Sequence, residues 1–282
     1  MVDLKKVFQM IGLISLTCFS FFITEKTATV VNDLDDIMIE IKENEQKYKM
    51  DSVDATIIDN TAIPGIKGRE VNIKKSYKNM RTNGFYSDKL YIYDYTKPKV
   101  SIEDNKSKYI IKGNPNKRMV SLIFVVKGDT DMSDVLNIVN NYNIKSTFFV
   151  DNNWFYNNGN YIEKIINKGH NIGLLLDDYT NVDFEWMDMV IKKINKQSIG
   201  FCYGVEDNDV NLKECELKNN YTIRPVVISD RMPMVDIKEK LDSGSLLSLS
   251  INSTLKKELP SILIYIKSKN YIITNLEENV LE

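Results

Sequence analysis

The side chains able to do chemistry are few and unevenly placed. A single histidine, His170, sits in Lys168-Gly169-His170-Asn171. Zinc enzymes and acid–base hydrolases usually draw on several imidazoles, and any such chemistry here must work with one. The three cysteines, Cys18, Cys202 and Cys215, cannot build a disulfide framework or a four-cysteine zinc site. Cys202 and Cys215 could bridge, but sequence alone carries no Cα separation. The acidic doublet Asp177-Asp178, with Asp207 and Asp230 farther along, offers hard oxygen ligands to a cation; a solvated acidic loop has the same composition. Tyr203 and the run Trp154-Phe155-Tyr156 suit either stacking on sugar rings or burial. Phosphate-binding glycine loops, the dinucleotide fingerprint, H-E-x-x-H and paired C-x-x-C motifs are all absent from the sequence.

Charge is segregated along the chain. Residues 1–60 carry six basic and eleven acidic side chains, residues 61–118 fourteen and five, and residues 119–282 seventeen and twenty-three. The basic segment, with Lys67, Arg69, Lys74, Lys75 and Lys78, either docks on the acidic stretch after it or meets a polyanion such as a wall polymer or lipid headgroups. No nucleic-acid partner is expected. At the N-terminus Lys5 and Lys6 precede an apolar run over residues 7–23, the lower limit for a spanning helix. Its exit lacks small residues at cleavage positions, and Cys18 lacks the upstream leucine of a lipoprotein box. The expectation is an uncleaved single-pass anchor with the remaining chain outside the cytoplasm; the alternative is secretion after signal cleavage. Residues 24–60 read as a polar helical stalk, with Leu34, Met38, Ile41 and Tyr48 at helical spacing.

These groups need a scaffold, and hydrophobic periodicity supplies one from residue 119 to 282. Apolar or β-branched runs recur at 120–126, 146–150, 171–176, 198–202, 222–228, 245–249 and 271–274, with helix-period segments between several of them. Val135, Ile138, Val139 and Tyr142 form one such face, and Leu259, Ile262, Leu263 and Ile266 another. Alternating strands and helices predict parallel pairing, and runs apolar on both faces predict a closed barrel. Seven units in so short a stretch predict an α/β fold of distorted or incomplete (β/α)7 type. Its site should lie where strands end at their C-terminal side: Val125, Val126, Leu176–Tyr179, Cys202–Gly204, Ser229–Arg231 and Ser250–Asn252. His170 falls at the opposite end, where packing or a turn hydrogen bond is its expected role.

Three stretches carry a family resemblance. Asn143-Ile144-Lys145-Ser146-Thr147-Phe148-Phe149-Val150, then Lys168-Gly169-His170-Asn171-Ile172-Gly173, then Leu259-Pro260-Ser261-Ile262-Leu263 with Lys269 through Leu276, resemble landmarks of the polysaccharide deacetylases, the NodB-homology carbohydrate esterases. The similarity runs from Val120 to Glu277. Ile63 through Tyr77 resembles a leader segment ahead of that domain in some envelope members. The resemblance implies a NodB-type barrel and a deacetylase that uses a divalent metal such as zinc. It also implies where the chemistry should be. The base and metal aspartates of T-F-D-D-G fall on Val125 and Val126, and the metal histidines of H-S-x-x-H on Leu175 and Tyr179. R-P-P-Y-G retains only Tyr203 and Gly204, and the acid histidine of L-H-D falls on Ser250. Aliphatic side chains offer a metal no lone pair, and without it neither water nor carbonyl is activated. The expectation is therefore a pseudoenzyme with no cofactor, binding cell-wall glycan or partnering an active envelope deacetylase. The alternatives are a hydrolase with a rebuilt site around Asp177, Asp178, Tyr203 and Asp230, and a purely structural envelope protein.

Overall fold

The run Met119–Val126 (β1) is apolar at nearly every position because both of its faces are covered. Val120, Leu122, Phe124 and Val126 belong to the layer between sheet and helices, whereas Ile123 and Val125 belong to a second cluster on the opposite face. The same two-residue alternation governs the other strands, and it sets which side chains face the candidate site.

The computed structural model describes residues 10–21, 33–176, 184–196, 198–204 and 209–282. It divides into two compact units, one of Met1–Ser52 with Gly68–Thr96, the other of Val53–Lys67 with Lys97–Glu282. The boundaries differ from those read from composition: the basic stretch 61–118 is shared between the units.

In the first unit, helix α1 (Asp36–Tyr48) starts at Asp35, whose carboxylate accepts from the Ile37 amide at 3.0 Å. Helix α2 (Ile73–Asn83) is capped by Asn72, which accepts from the Lys75 amide, and ends at Gly84 in the left-handed region (φ +81°). The strands Gly68–Val71 and Tyr93–Thr96 pair antiparallel. Ile41, Val71, Met80 and Tyr91 form a small core of their own. Residues 36–48 are thus a packed helix of this unit, with Met38 and Ile41 buried, where the sequence suggested a solvated stalk.

Residues 10–21 are helical. Among the described residues no helix is long and apolar enough to cross a membrane. The expectation of a single-pass anchor over residues 7–23, and the location built on it, is corrected accordingly.

The second unit holds an eleven-stranded sheet. After β1 come α3 (Ser133–Asn141), β2 (Thr147–Val150), α4 (Asn152–Asn157), α5 (Gly159–Asn167), β3 (Asn171–Leu176), α6 (Phe184–Asn195), β4 (Phe201–Gly204) and α7 (Asp209–Leu217). There follow β5 (Tyr221–Ile223), β6 (Val226–Val227), α8 (Pro233–Lys240), β7 (Leu246–Ser250), α9 (Ser253–Ser268), β8 (Ile272–Thr274) and α10 (Leu276–Val280). Strands β5, β4, β3, β2, β1, β7 and β6 are neighbours in that order, all parallel, and β8 pairs with the start of β1. The strand expected over 222–228 is split. Proline has no amide hydrogen for the ladder, and Pro225 separates β5, which pairs with β4, from β6, which pairs with β7. This seven-strand parallel run therefore curls until its end strands, β5 and β6, are separated in sequence only by Arg224 and Pro225, as in an incomplete barrel. Outside β5, Tyr109–Ile110 adds in parallel, followed by Thr61–Ile63 and Thr56–Ile58.

Candidate functional site

The C-terminal ends of β1, β2, β3, β4 and β7 converge on the concave side of the sheet, and register fixes the neighbours. Ser250 lies opposite Val125, Val125 opposite Phe149, Phe149 opposite Gly173, and Leu175 opposite Tyr203. Ile123, Phe149, Leu175, Phe201 and Tyr203 are buried in one apolar cluster, against which half-buried Val125 packs. The Phe149 ring lies over Gly173 so closely that a β-carbon there would stand 2.4 Å from its Cε1. It meets Tyr203 edge to face at 5.6 Å between centroids. The Tyr203 phenol is itself engaged, with the Ser248 hydroxyl donating to it at 3.2 Å. Aromatic and aliphatic side chains thus fill the hollow in which strand-end donors would have to meet.

The structure separates two residues that sequence placed together. Successive strand residues face opposite ways, so Val125 borders the concave cluster while Val126 is buried beneath the helices. Leu175 shares the concave cluster with Val125. Ser250, exposed at the end of β7, is next to Val125 in register. Asp230 is exposed on the turn after β6, where its backbone carbonyl accepts from Asn252 at 3.4 Å. It is not brought to Tyr203, which is buried. Asp177, Asp178, Tyr179 and Asp207 lie outside the described residues. Among the described residues no three His, Cys, Asp or Glu side chains gather as a metal site would require. Val125, Val126 and Leu175 have no donor atom, and the Tyr203 hydroxyl is already bonded, so these positions do not fit a divalent ion.

His170 stands at the other end of the sheet. Its Nδ1 accepts from the Ser146 amide at 3.1 Å, its Nε2 lies 3.2 Å from Asn140 Oδ1, and its ring packs on Phe148. Burial holds its pKa down at about 4, leaving a neutral, structural imidazole at ordinary pH. Cys202 and Cys215 form a disulfide with Cα atoms 6.3 Å apart, tying β4 to α7.

The aromatic run after β2 divides by depth. Trp154 and Phe155 are buried, with Trp154 Nε1 donating to the Thr130 carbonyl at 3.1 Å. Tyr156 is 63% exposed and stacks on Trp186, at 4.2 Å between centroids and 17° between planes. Sequence reasoning named Tyr156 and missed Trp186. The phase of α6, with Met187 and Ile191 buried, puts Trp186 at the border of the buried face and was the available signal. Of the basic residues, Lys67 belongs to the second unit, Arg69 lies over the Tyr93 ring at 4.9 Å, and Lys75 pairs with Asp94. Lys74 and Lys78 project from α2 as exposed side chains.

No protein-family profile matches the chain. It is 37% identical over 150 residues to the uncharacterized protein YlxY of Bacillus subtilis, across 52% of this chain and 47% of that protein. The chain therefore matches about half the length of that relative. Among solved structures it is similar to BA3943 of Bacillus anthracis, a CE4 family pseudoenzyme, with a TM-score of 0.62 and 21% identity over 87% of this chain and 95% of that one. A BA3943 mutant with restored enzymatic activity gives 0.63 and 21% over 87% and 98%. PdaA of Bacillus subtilis, a family 4 carbohydrate esterase, gives 0.54 and 15% over 63% and 87%. The curled parallel sheet and these likenesses together identify the fold of the family 4 carbohydrate esterases, the polysaccharide deacetylases.

Proposed function

We propose that this chain is a non-catalytic member of the deacetylase fold whose role is to bind glycan. One observation carries the reading: Val125, Phe149, Leu175 and Tyr203 close the hollow at the strand ends with packed side chains, where a deacetylase needs a metal, a base and an acid. General acid–base groups contribute about 10²–10⁴-fold in rate, and metal activation of water adds to that. Neither has an agent at the described positions. The Tyr156–Trp186 stack supports the binding half of the reading. A flat, exposed phenol ring held by a second ring is preorganised to meet a sugar face, and it sits on α4, immediately beyond the C-terminal end of β2.

Calorimetry with chitooligosaccharide and with muropeptide tests it. Binding should weaken severalfold in Tyr156→Ala, and neither ligand nor polymeric substrate should release acetate, with or without added zinc. Acetate release that a chelator abolishes and metal restores would establish a working hydrolase instead. An absence of binding to both ligands would remove the glycan role.

A further inference from the structure

The first unit carries a groove of 780 Å³ between α1 and α2, and its lining is sorted by chemistry. Ile73 and Tyr77, above buried Met38, give it an apolar floor; Lys42, Lys74, Lys78 and Arg81 line it with positive charge, and Asp33 adds one carboxylate. Two of the four cations are already neutralised, Lys42 by Asp33 at 2.8 Å and Arg81 by Asp35 at 2.6 Å. Asn72 donates to Asp94 at 2.7 Å, and Asp94 in turn pairs with Lys75 at 3.4 Å. Among the described residues no carboxylate pairs with Lys74 or Lys78. Those two lie four residues apart on α2, one turn above the other, with about 5–6 Å between their Cβ atoms.

We infer that this groove is a docking site for an acidic amphipathic helix of a partner protein. The ligand needs two properties at once. An apolar stripe at i, i+3/i+4 and i+7 would cover the floor, as in helix-in-groove recognition. Carboxylates one turn apart on its flank would meet Lys74 and Lys78, the charge complement the groove lacks within its own unit. A flexible anionic polymer satisfies the second requirement and offers no apolar surface to Ile73 and Tyr77. The site is separate from the strand-end hollow and does not depend on the glycan reading.

Fluorescence anisotropy on the full-length protein tests it, with a synthetic fourteen-residue helix bearing leucine at i, i+3, i+7 and i+10 and glutamate on its flanks as the probe. The expected result is saturable binding that weakens as salt is added. It should fall roughly five- to tenfold in the Lys74→Gln/Lys78→Gln double variant, from two exposed ion pairs in the middle of their usual range. Lys75→Gln should bind as the parent does, and circular dichroism of each variant reports that the fold is kept. Replacing the probe's leucines with serine should abolish binding. The inference is overturned if the probe does not bind, if Lys75→Gln weakens it as much as the double variant, or if polyglutamate or a polyuronate competes as well as the leucine-bearing helix.

Discussion

His170 is buried among uncharged partners, the Ser146 amide, the Asn140 side chain and the Phe148 ring. Its folded-state pKa of about 4 lies below the ordinary 6.5 because burial disfavours the imidazolium. Between those values the unfolded chain takes up a proton that the folded chain does not. The stability tied to the neutral ring is therefore complete above pH 6.5 and is lost as the pH falls from 6.5 to 4, by up to about 3 kcal/mol. Urea midpoints across that window should show the decline, and His170→Gln should flatten it; an unchanged slope would put the acid sensitivity elsewhere. Gly173 allows a second residue-level test. A β-carbon there would overlap the Phe149 ring, so Gly173→Ala should cost about 1–3 kcal/mol as an overpacked core does. Adding Phe149→Leu should return part of that cost, and a double-mutant cycle that is simply additive would mean the two positions do not meet. The packing role of His170 was legible from its place before a strand. The Phe149 plug was not, because nothing in Thr147-Phe148-Phe149-Val150 tells which phenylalanine faces the hollow until β1 and β3 fix the register.

At the scale of elements, the disulfide joins β4 to the helix after it, closing a loop of thirteen residues' separation. Chain-entropy reasoning assigns such a loop about 3 kcal/mol. The Cys202→Ser/Cys215→Ser double variant should unfold at correspondingly lower denaturant, and thiol titration of the native protein should find one reactive cysteine, Cys18, which is exposed. Three thiols without denaturant would show that the bridge does not form. Sequence could not choose this pairing, since it rests on a Cα separation that exists only once β4 and α7 are folded. The strands themselves were readable to within a few residues because burial on both faces leaves no polar alternation to confuse them. The helix 36–48 was misread for the opposite reason. Only Met38 and Ile41 are buried in it, and its partner α2 comes 25 residues after its last residue, so no local pattern announces the packing.

For the whole molecule, composition placed a domain boundary at residue 118, whereas the second unit recruits residues 53–67 and 97–118 into its sheet. Tyr109 and Ile110, both buried, cover the outer edge of β5. A fragment beginning at residue 119 should expose that edge, melt well below the full-length protein and scatter light at micromolar concentration, as unprotected strand edges do. Equal melting temperatures would make the added strands dispensable. These short strands escaped notice in the sequence because two or three residues carry no measurable period.

The placement of β7 and β8 beside β1 has a consequence for biosynthesis. Leu246 pairs with Ser121 and Ile272 with Met119, so the strand at the heart of the sheet waits for partners made well over a hundred residues later. A nascent chain that has reached α7 on the ribosome holds β1 through β4 with one flank of β1 still open. Contacts so distant along the chain make folding slow, and an open flank in the meantime invites pairing with other chains. The protein's yield in a cell should therefore depend on chaperones guarding that flank until β7, ending at Ser250, has emerged.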